Sequence, residues 1–528
     1  MSQNAPTKPS VSSRIAWNTI TKWISSLIAA VVAFILVDYQ AAKLGAGGFG
    51  AVSLLMSVVF FMLLCDAGLR PALGRHLAEQ AAREDGKRFS ELFNSALAFL
   101  LALGALFAVI CMVAAGPLVK LMNFAVDQQP EATVLVRYYV SISIIVCLIG
   151  PAFGAVIEAH NRFDLVDYGH IVEVLVRFGG MFVGIGALGL GLYGWAMAML
   201  LSQVVALAIN VFVAFRISPY LRLGWDYLKR DALMESLRLG RLVMLYHGMP
   251  QLNALMDRFI IAQFLTSDGT AFYHPAQLAV ASAYPFVGGL SRQLRSLASG
   301  YDALGNQGML QEMLVRGTRL TILLSIPFCV ILGCFAGPIV GLWLELPKYE
   351  PTVWALIILS LADVSTHVRE TQGFVMTGLN RVRFITMTQV IGGATTIVLG
   401  IGVTALLVYY GLGFNAIIGV AIPAAVVGWL QAAVISVYVA RATGVGGRRY
   451  FKESFLWPLV CLVISTLGAL AISRTFQPHT WAGLIACAAL AGTLCAIVGW
   501  TVGFDQIDRQ RVLQMVNRLI GLVRRRAT

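Results

Sequence analysis

The chain has 528 residues, of which 58% are hydrophobic and only 12% are charged. Because soluble globular proteins carry roughly 25% charged residues, this composition excludes that class and indicates a protein whose main solvent is the lipid bilayer. The net charge of +13 does not indicate a nucleic-acid binder, since the basic residues fall in short segments between apolar stretches.

Apolar stretches of about 20 residues recur along the chain, and each is long enough to cross a hydrocarbon layer of roughly 30 Å as a helix. Continuous apolar runs favour helices over barrel strands, because a lipid-exposed backbone must satisfy its hydrogen bonds within the segment. We therefore predict an all-α polytopic membrane protein with about fourteen transmembrane helices. The predicted spans are 18–42, 49–72, 92–117, 134–158, 169–190, 193–215, 240–265, 271–290, 318–343, 352–378, 385–410, 414–440, 455–474 and 480–503.

The basic residues mark one side of the membrane. If the N-terminus is cytoplasmic, most of them fall on the cytoplasmic side, whereas the opposite loops carry chiefly Lys43, Lys120, Lys348 and Arg474. By the positive-inside rule, this distribution predicts that both termini are cytoplasmic and that the number of spans is even.

An internal repeat relates the two halves of the chain. The stretches Phe153–Phe163 and Phe374–Phe384 both end in Asn-Arg beside an aromatic residue, at an offset of 381 − 162 = 219. Span 2 ends in Gly68-Leu69 and span 8 in Gly289-Leu290, at an offset of 289 − 68 = 221. Two nearly equal offsets indicate that spans 1–6 and 7–12 are copies of the same orientation, which predicts two pseudo-symmetric six-helix lobes around a central cavity.

Six segments follow from this repeat and from the pattern of charge. They are a cytoplasmic N-terminal tail (1–16), an N-lobe with spans 1–6 (17–216), a basic cytoplasmic linker (217–238), a C-lobe with spans 7–12 (239–440), spans 13 and 14 (441–503), and a basic amphipathic tail (504–528).

Four short motifs resemble those of the polysaccharide-transport flippases, a family of the multidrug, oligosaccharidyl-lipid and polysaccharide exporter superfamily. They are Asn18 at the start of span 1, Leu44-Gly45-x-x-x-Phe49-Gly50, Asp66-x-Gly68-Leu69, and the Gly-x-Asn-Arg sequence that ends span 10. The resemblance implies a V-shaped, alternating-access fold in a bacterial inner membrane and an undecaprenyl-linked oligosaccharide as substrate. Fourteen spans fit the larger members, including the similar lipid II flippases, better than the twelve-span drug exporters.

Ionisable residues inside the spans are the strongest indication of function. Inserting each one at the centre of a span costs roughly 2.5–3.5 kcal/mol on insertion scales, so it usually faces protein or water. Three groups stand out among them: His170, Glu173 and Arg177 in span 5; Asp257 and Arg258 in span 7, near Gln251 and Asn253; and Asp363, His367, Arg369 and Glu370 in span 10. Each group is open to a structural interpretation, such as an i,i+4 ion pair or a buried network that holds a lobe together, as well as to a role in lining a cavity.

The flippase resemblance gives these residues candidate roles. A guanidinium meets phosphate oxygens through two parallel hydrogen bonds, whereas sugar hydroxyls are bound by amides and hydroxyls. Candidates for the anionic head group are Arg177, Arg258 and Arg369; candidates for the glycan are Gln251, Asn253, Gln277 and Gln372; candidates for ion coupling are Asp363, Glu370, His367, Asp257 and Glu173. No cofactor, metal or enzymatic activity is predicted.

The leading hypothesis is a flippase that moves undecaprenyl-diphosphate-linked repeat units of an O-antigen or exopolysaccharide to the outer leaflet by alternating access. Its expected partners are that lipid-linked oligosaccharide, membrane lipids, and the polysaccharide polymerase and chain-length machinery, with no nucleic acid. Three alternatives stay open: a cation-coupled multidrug antiporter of the same superfamily, a lipid II-type flippase, and a membrane glycosyltransferase or polymerase.

Overall fold

The computed structural model describes residues 11–63, 68–344, 349–506 and 509–510, and every regular element within these ranges is helical. The predicted all-α class is therefore confirmed. The α-helices are α1 (Val11–Leu63), α2 (Leu69–Ala82), α3 (Gly86–Leu121), α4 (Gln129–Leu135), α5 (Ser141–Ala159), α6 (Phe163–Met181), α7 (Gly191–Ile217), α8 (Arg230–Ala281), α9 (Tyr284–Ala303), α10 (Gln307–Cys334), α11 (Ala336–Leu344), α12 (Glu350–Gly378), α13 (Arg383–Tyr409), α14 (Ile418–Thr443), α15 (Gly447–Phe451), α16 (Trp457–Phe476) and α17 (Trp481–Val498).

The helices form two compact units, which divide the chain within α8, α13 and α14. The first unit is Met1–Pro275 with Gln389–Val420, and the second is Ala276–Thr388 with Ala421–Thr528. In the first unit α6 packs on α7 and α1, and α5 packs on α3 and α7. In the second unit α12 packs on α9 and α10, and α16 packs on α10 and α17. The lobe boundaries at 216 and 239 remain predictions.

Eleven helices among the described residues are long and apolar enough to cross a membrane, so the chain is a multi-pass membrane protein. The predicted spans outnumber them because α1 and α8 each contain two predicted spans separated by an internal break. α1 breaks at Gly45, between predicted spans 1 and 2, and α8 breaks at Thr266, between predicted spans 7 and 8. Since α1 already counts once among the eleven, its second part and the two parts of α8 bring the segments to about fourteen.

The backbone confirms the internal repeat. Gly45 (φ 68°, ψ 177°) and Thr266 (φ 61°, ψ −177°) share one unusual conformation at an offset of 266 − 45 = 221. Asn161 (φ 57°) and Asn380 (φ 55°) are both left-handed at an offset of 380 − 161 = 219. Asparagine tolerates this conformation better than most residues, which explains why each copy of the Asn-Arg motif ends a helix.

Equivalent residues of the two copies also cap the starts of two helices. The Asp85 side chain accepts a hydrogen bond from the backbone N–H of Arg88 at the start of α3. At an offset of 306 − 85 = 221, Asn306 accepts one from the backbone N–H of Met309 at the start of α10. Asp and Asn are favoured at this position because their side chains satisfy an N–H that the helix leaves open.

The Phe49-Gly50 part of the sequence motif has a packing role. Phe49 is fully buried and its ring lies 5.6 Å from that of His274. A Cβ on Gly50 would collide with the carbonyl oxygen of Ser267, and the Thr270 hydroxyl donates to the Gly50 carbonyl at 3.1 Å. Glycine therefore allows the second part of α1 and the second part of α8 to approach backbone to backbone.

The segment between α7 and α8 is attached to the start of α3. Asn94 donates to the Arg222 carbonyl at 2.7 Å, and Ser95 accepts from the Lys229 N–H at 2.9 Å. Arg88 donates to Asp231 at 3.1 Å and to Glu235 at 2.6 Å. The hydrogen bond from Arg88 lowers the pKa of the exposed Asp231 carboxyl. This end of the first unit is therefore an ordered ionic surface.

Parts of three sequence features lie outside the described residues. They are residues 1–10 of the predicted N-terminal tail, Asp66 of the Asp-x-Gly-Leu motif, and most of the predicted basic tail at 504–528.

The conformation of Thr266 generates a test of the repeat. Its φ and ψ lie in a region that is essentially restricted to glycine and costs a non-glycine residue about 1–3 kcal/mol. We expect Thr266→Gly to raise the midpoint of thermal unfolding in detergent, because glycine occupies this region without strain. In the control Thr395→Gly, within α13, the midpoint should fall, because glycine weakens a helix interior. A lower midpoint for Thr266→Gly would contradict the proposed equivalence with Gly45.

Candidate functional site

In the first unit, the two charged residues of predicted span 5 pair with each other. Arg177 donates to Glu173 one turn earlier on α6, and the two side chains remain 28% and 21% exposed. An i,i+4 pair places opposite charges on one helical face. This geometry therefore agrees with the structural interpretation, in which Glu173 and Arg177 neutralise each other. The Nε of Arg177 is buried and has no hydrogen-bond partner among the described residues.

A cavity of about 320 Å³, with a mainly apolar lining, lies beside this ion pair between α5, α6 and α7. Its polar lining includes His170 and Glu173 from α6 and Gln203 and Asn210 from α7. The Oε1 of Gln203 accepts from the Ser143 hydroxyl at 2.7 Å. Neither amide was among the predicted site residues. Their spacing of seven residues in an otherwise apolar span was the available signal, because it places them on one face of a helix.

Predicted span 7 places a second group of charges in the first unit. Asp257 is buried and accepts a hydrogen bond from the hydroxyl of Tyr273 at 2.9 Å. The adjacent Arg258 donates to the Ser57 hydroxyl at 3.4 Å. Asp257 and Arg258 are therefore held by different partners, Asp257 by Tyr273 beyond the break in α8 and Arg258 by Ser57 of α1. Tyr273 was not predicted, because it lies 16 residues along the chain and is brought back only by the reversal of direction at Thr266.

The predicted glycan-binding amides are divided between the two units. Gln251 and Asn253 belong to the first unit, whereas Gln277 and Gln372 belong to the second. Gln251 is exposed on α8. The Oδ1 of Asn253 is buried without a hydrogen-bond partner within the part of the chain that the structure describes. Such an acceptor is costly unless a ligand or water completes it.

Gln372 lies in a buried network of the second unit. Its Nε2 donates to the Ser436 hydroxyl at 2.6 Å and to the Tyr450 hydroxyl at 3.0 Å. Tyr450 also shares a hydrogen bond of 3.0 Å with Thr318. The Oε1 of Gln372 has no partner among the described residues. The side chain is fully buried, so a glycan could reach that acceptor only after a rearrangement.

The acceptors that contact Arg369 include side-chain and backbone oxygens of α12 and α14. It donates to the Gln431 side chain at 2.6 Å, to the Thr366 hydroxyl at 3.0 Å and to the Ser365 carbonyl at 3.3 Å. Gln431 in turn donates to the carbonyl of Thr388 at 2.8 Å, which fixes the orientation of its amide. Gln431 was missed, although it is a polar residue at a buried position of the apolar span 414–440.

The remaining titratable residues of span 10 form two contacts. His367 is fully buried and its Nε2 lies 3.1 Å from Oδ2 of Asp363. Glu370 accepts a hydrogen bond of 2.9 Å from the Tyr284 hydroxyl, and the Tyr284 ring stacks on His367 at 6.0 Å. Tyr284, another residue not predicted, therefore contacts two of the candidate coupling residues, Glu370 and His367.

The fold has clear counterparts among solved structures. A lipid II flippase MurJ in an inward closed conformation matches with a TM-score of 0.69 and 14% identity, covering 92% of this chain and 98% of that one. An inward-facing multidrug resistance MATE family transporter of the MOP superfamily matches with a TM-score of 0.68 and 16% identity, covering 81% and 99%. At such identities the likeness concerns the fold alone, a helical fold of the class that these flippase and transporter structures share.

Within this class, the sequence matches the family described as lipid II flippase MurJ over residues 41–362, and the chain belongs to that family. A curated relative, the uncharacterized membrane protein EpsK of Bacillus subtilis (strain 168), is 20% identical over 491 residues, covering 91% of this chain and 94% of its own. The resemblance to superfamily flippases is confirmed. The family and the neighbouring structures are flippases and transporters, not enzymes.

The contact between Arg369 and Gln431 can be tested directly. In Gln431→Leu the guanidinium loses its shortest acceptor, and an unsatisfied buried polar group costs about 1–3 kcal/mol. We expect a lower unfolding midpoint and reduced transport at an unchanged level of membrane insertion. In the matched control Gln311→Leu, which removes a carboxamide bonded only to a helix-terminal carbonyl of α14, transport should be retained. Equal effects of both variants would show that Gln431 has no special role at Arg369.

Proposed function

We propose that the protein moves undecaprenyl-diphosphate-linked oligosaccharide units, destined for an O-antigen or exopolysaccharide, from the inner to the outer leaflet of a bacterial inner membrane by alternating access. Membership of a family described as lipid II flippases supports a lipid-linked glycan as the class of substrate. The residues inside the spans support the same chemistry, because they offer guanidinium groups for phosphate and amides for sugar hydroxyls.

The observation that carries the proposal is that each compact unit holds an arginine inside a membrane-spanning helix, with hydroxyl or amide groups among the contacts of its guanidinium. Ser57 contacts Arg258 in the first unit, and Gln431 and Thr366 contact Arg369 in the second. In the proposed site these two guanidinium groups bind the diphosphate, for which the five-donor fork of arginine is suited. In this account Arg177 is secondary, because it donates to Glu173.

The amides provide the glycan part of the proposal. Asn253 and Gln372 each present a buried carbonyl oxygen that lacks a hydrogen-bond partner among the described residues. A sugar hydroxyl is the matching donor. Gln251 and Gln277 complete the proposed set. Asn253 is the strongest candidate, because Gln372 would first have to be exposed.

Lipid II is the second candidate substrate, favoured by the description of the family itself. Both substrates combine a polyprenyl chain, a diphosphate and a glycan, so the intramembrane arginines serve either. A multidrug antiporter would instead carry apolar cations, which these arginines disfavour. Flipping assays with both lipid-linked glycans in liposomes separate the first two candidates by relative rate.

Arg258 provides the main test. We expect Arg258→Ala to lower the rate of flipping in liposomes by about tenfold or more, because hydrogen bonds to charged groups contribute about 1.5–3 kcal/mol. Arg258→Lys should rescue only part of the rate, because an ammonium cannot reproduce the bidentate geometry. The matched control is Arg83→Ala, which removes an exposed arginine paired with Glu79. Wild-type flipping by a well-inserted Arg258→Ala variant would exclude this residue from the site.

Ion coupling is proposed for Asp363 with His367, whose atoms lie 3.1 Å apart. Glu370, held by Tyr284, and Asp257, held by Tyr273, are further candidates, and Glu173 is disfavoured by its pairing with Arg177. In liposomes, Asp363→Asn should abolish the response of flipping to an imposed pH gradient and retain equilibration without one. Glu312→Gln, which removes a carboxylate paired with Arg316, serves as the control. A normal pH response of Asp363→Asn would exclude this pair.

The proposed orientation places both termini and the segment 217–238 in the cytoplasm, in keeping with the positive-inside rule. Fusion of a periplasm-dependent reporter at the C-terminus should then give no activity. The same reporter inserted at Tyr349–Pro351 should be active. An active C-terminal reporter would contradict both the orientation and the even number of spans.

A further inference from the structure

The second unit contains a large cavity whose lining includes none of the proposed substrate-binding residues. Its volume is about 520 Å³, within the range of roughly 300–1,000 Å³ typical of ligand pockets. It is lined mainly by α14 and by α15 with the start of α16, and its aromatic wall comprises Trp429, Tyr450, Phe451 and Phe455. No Asp or Glu is among its lining residues.

The interior of this cavity is suited to hydrocarbon. Its hydroxyl groups are already occupied, since Ser436 accepts from Gln372 and donates to the Ala432 carbonyl, both at 2.6 Å. Tyr450 likewise accepts from Gln372 at 3.0 Å. A ligand inside would therefore meet no wall hydroxyl that requires it as a partner. Burial of its apolar surface would provide the favourable free energy.

One end of the cavity is positively charged. Arg441, in the last turn of α14, and Gly447, which directly precedes Arg448, both line it. Arg381 donates to the carbonyl of Ala442 at 2.9 Å, which places a further guanidinium next to Arg441. Arg449 is neutralised by Glu453 at 3.1 Å. An anionic group at this end would interact favourably with the cluster, because each basic residue near an anionic lipid surface contributes about 1 kcal/mol.

We propose that this cavity binds an anionic phospholipid, with an acyl chain between α14 and α16 and the phosphate at Arg441. The lipid is a resident of the second unit and is distinct from the transported substrate. Occupancy would fill the space between the helices and stabilise their packing. The inference does not depend on the proposed function, because its test measures binding and stability and not transport.

The test uses the full-length protein in a neutral detergent, with phosphatidylglycerol, phosphatidylcholine or inorganic phosphate added separately. Native mass spectrometry measures bound lipid, and thermal unfolding measures stabilisation. We expect phosphatidylglycerol to bind more tightly than phosphatidylcholine and to raise the unfolding midpoint further. Arg441→Gln should weaken the binding of phosphatidylglycerol about fivefold, which corresponds to the contribution of one basic residue at an anionic lipid surface. The binding of phosphatidylcholine should not change.

Two further variants keep the result interpretable. Ala433→Trp places a large ring in the cavity from an exposed small residue of α14, and it should abolish binding of both lipids here without lowering the midpoint in detergent alone. Arg83→Gln removes an exposed arginine of the first unit and should change the binding of neither lipid.

Three results would overturn the assignment. Equal binding of the two phospholipids would show that the charged end does not select the head group. Stabilisation by inorganic phosphate alone, as large as that by phosphatidylglycerol, would show that no acyl chain is needed. Displacement of phosphatidylglycerol by an equimolar polyprenyl phosphate would assign the cavity to the transported lipid instead.

Discussion

A guanidinium group inside a lipid bilayer must be surrounded by acceptors, because leaving it exposed to hydrocarbon costs at least about 2.5–3.5 kcal/mol. The structure meets this requirement in two ways. Arg177 is neutralised by a carboxylate on its own helix. Arg369 and Arg258 are instead contacted by hydroxyl and amide groups of other helical segments. The proposed transport of an anionic head group depends on the guanidinium groups of these two arginines.

Positioning such acceptors requires close helix packing, which in this chain depends on small residues and on breaks within helices. Gly50 allows the second part of α1 to approach Ser267 on the second part of α8. The break at Thr266 returns Tyr273 to the level of Asp257. Without that reversal, Asp257 would lose its partner. Backbone geometry at the membrane surface thus determines which polar side chains meet inside the span.

The sequence predicted the helical class, the membrane location and the duplication, because each leaves a pattern in the sequence that does not depend on which helices pack together. Composition determined the class, and the Asn161-Arg162 and Asn380-Arg381 motifs recorded the repeat as two helix ends with left-handed asparagines. The partners of the charged residues were not predictable in this way. Tyr273, Tyr284 and Gln431 contact their charged neighbours across helices, and the distance in sequence between such residues carries no information about which faces meet.

The proposed function depends on recognition of the diphosphate of a lipid-linked glycan by intramembrane arginines. Its most direct test compares flipping, in liposomes containing the purified protein, of two synthetic substrates with the same polyprenyl chain and glycan, one joined by a diphosphate and one by an uncharged linker. The account predicts that the wild-type protein flips the diphosphate substrate at least about tenfold faster, and that this preference disappears when Arg258 and Arg369 are both replaced by alanine. Equal rates for the two substrates with the wild-type protein would contradict it.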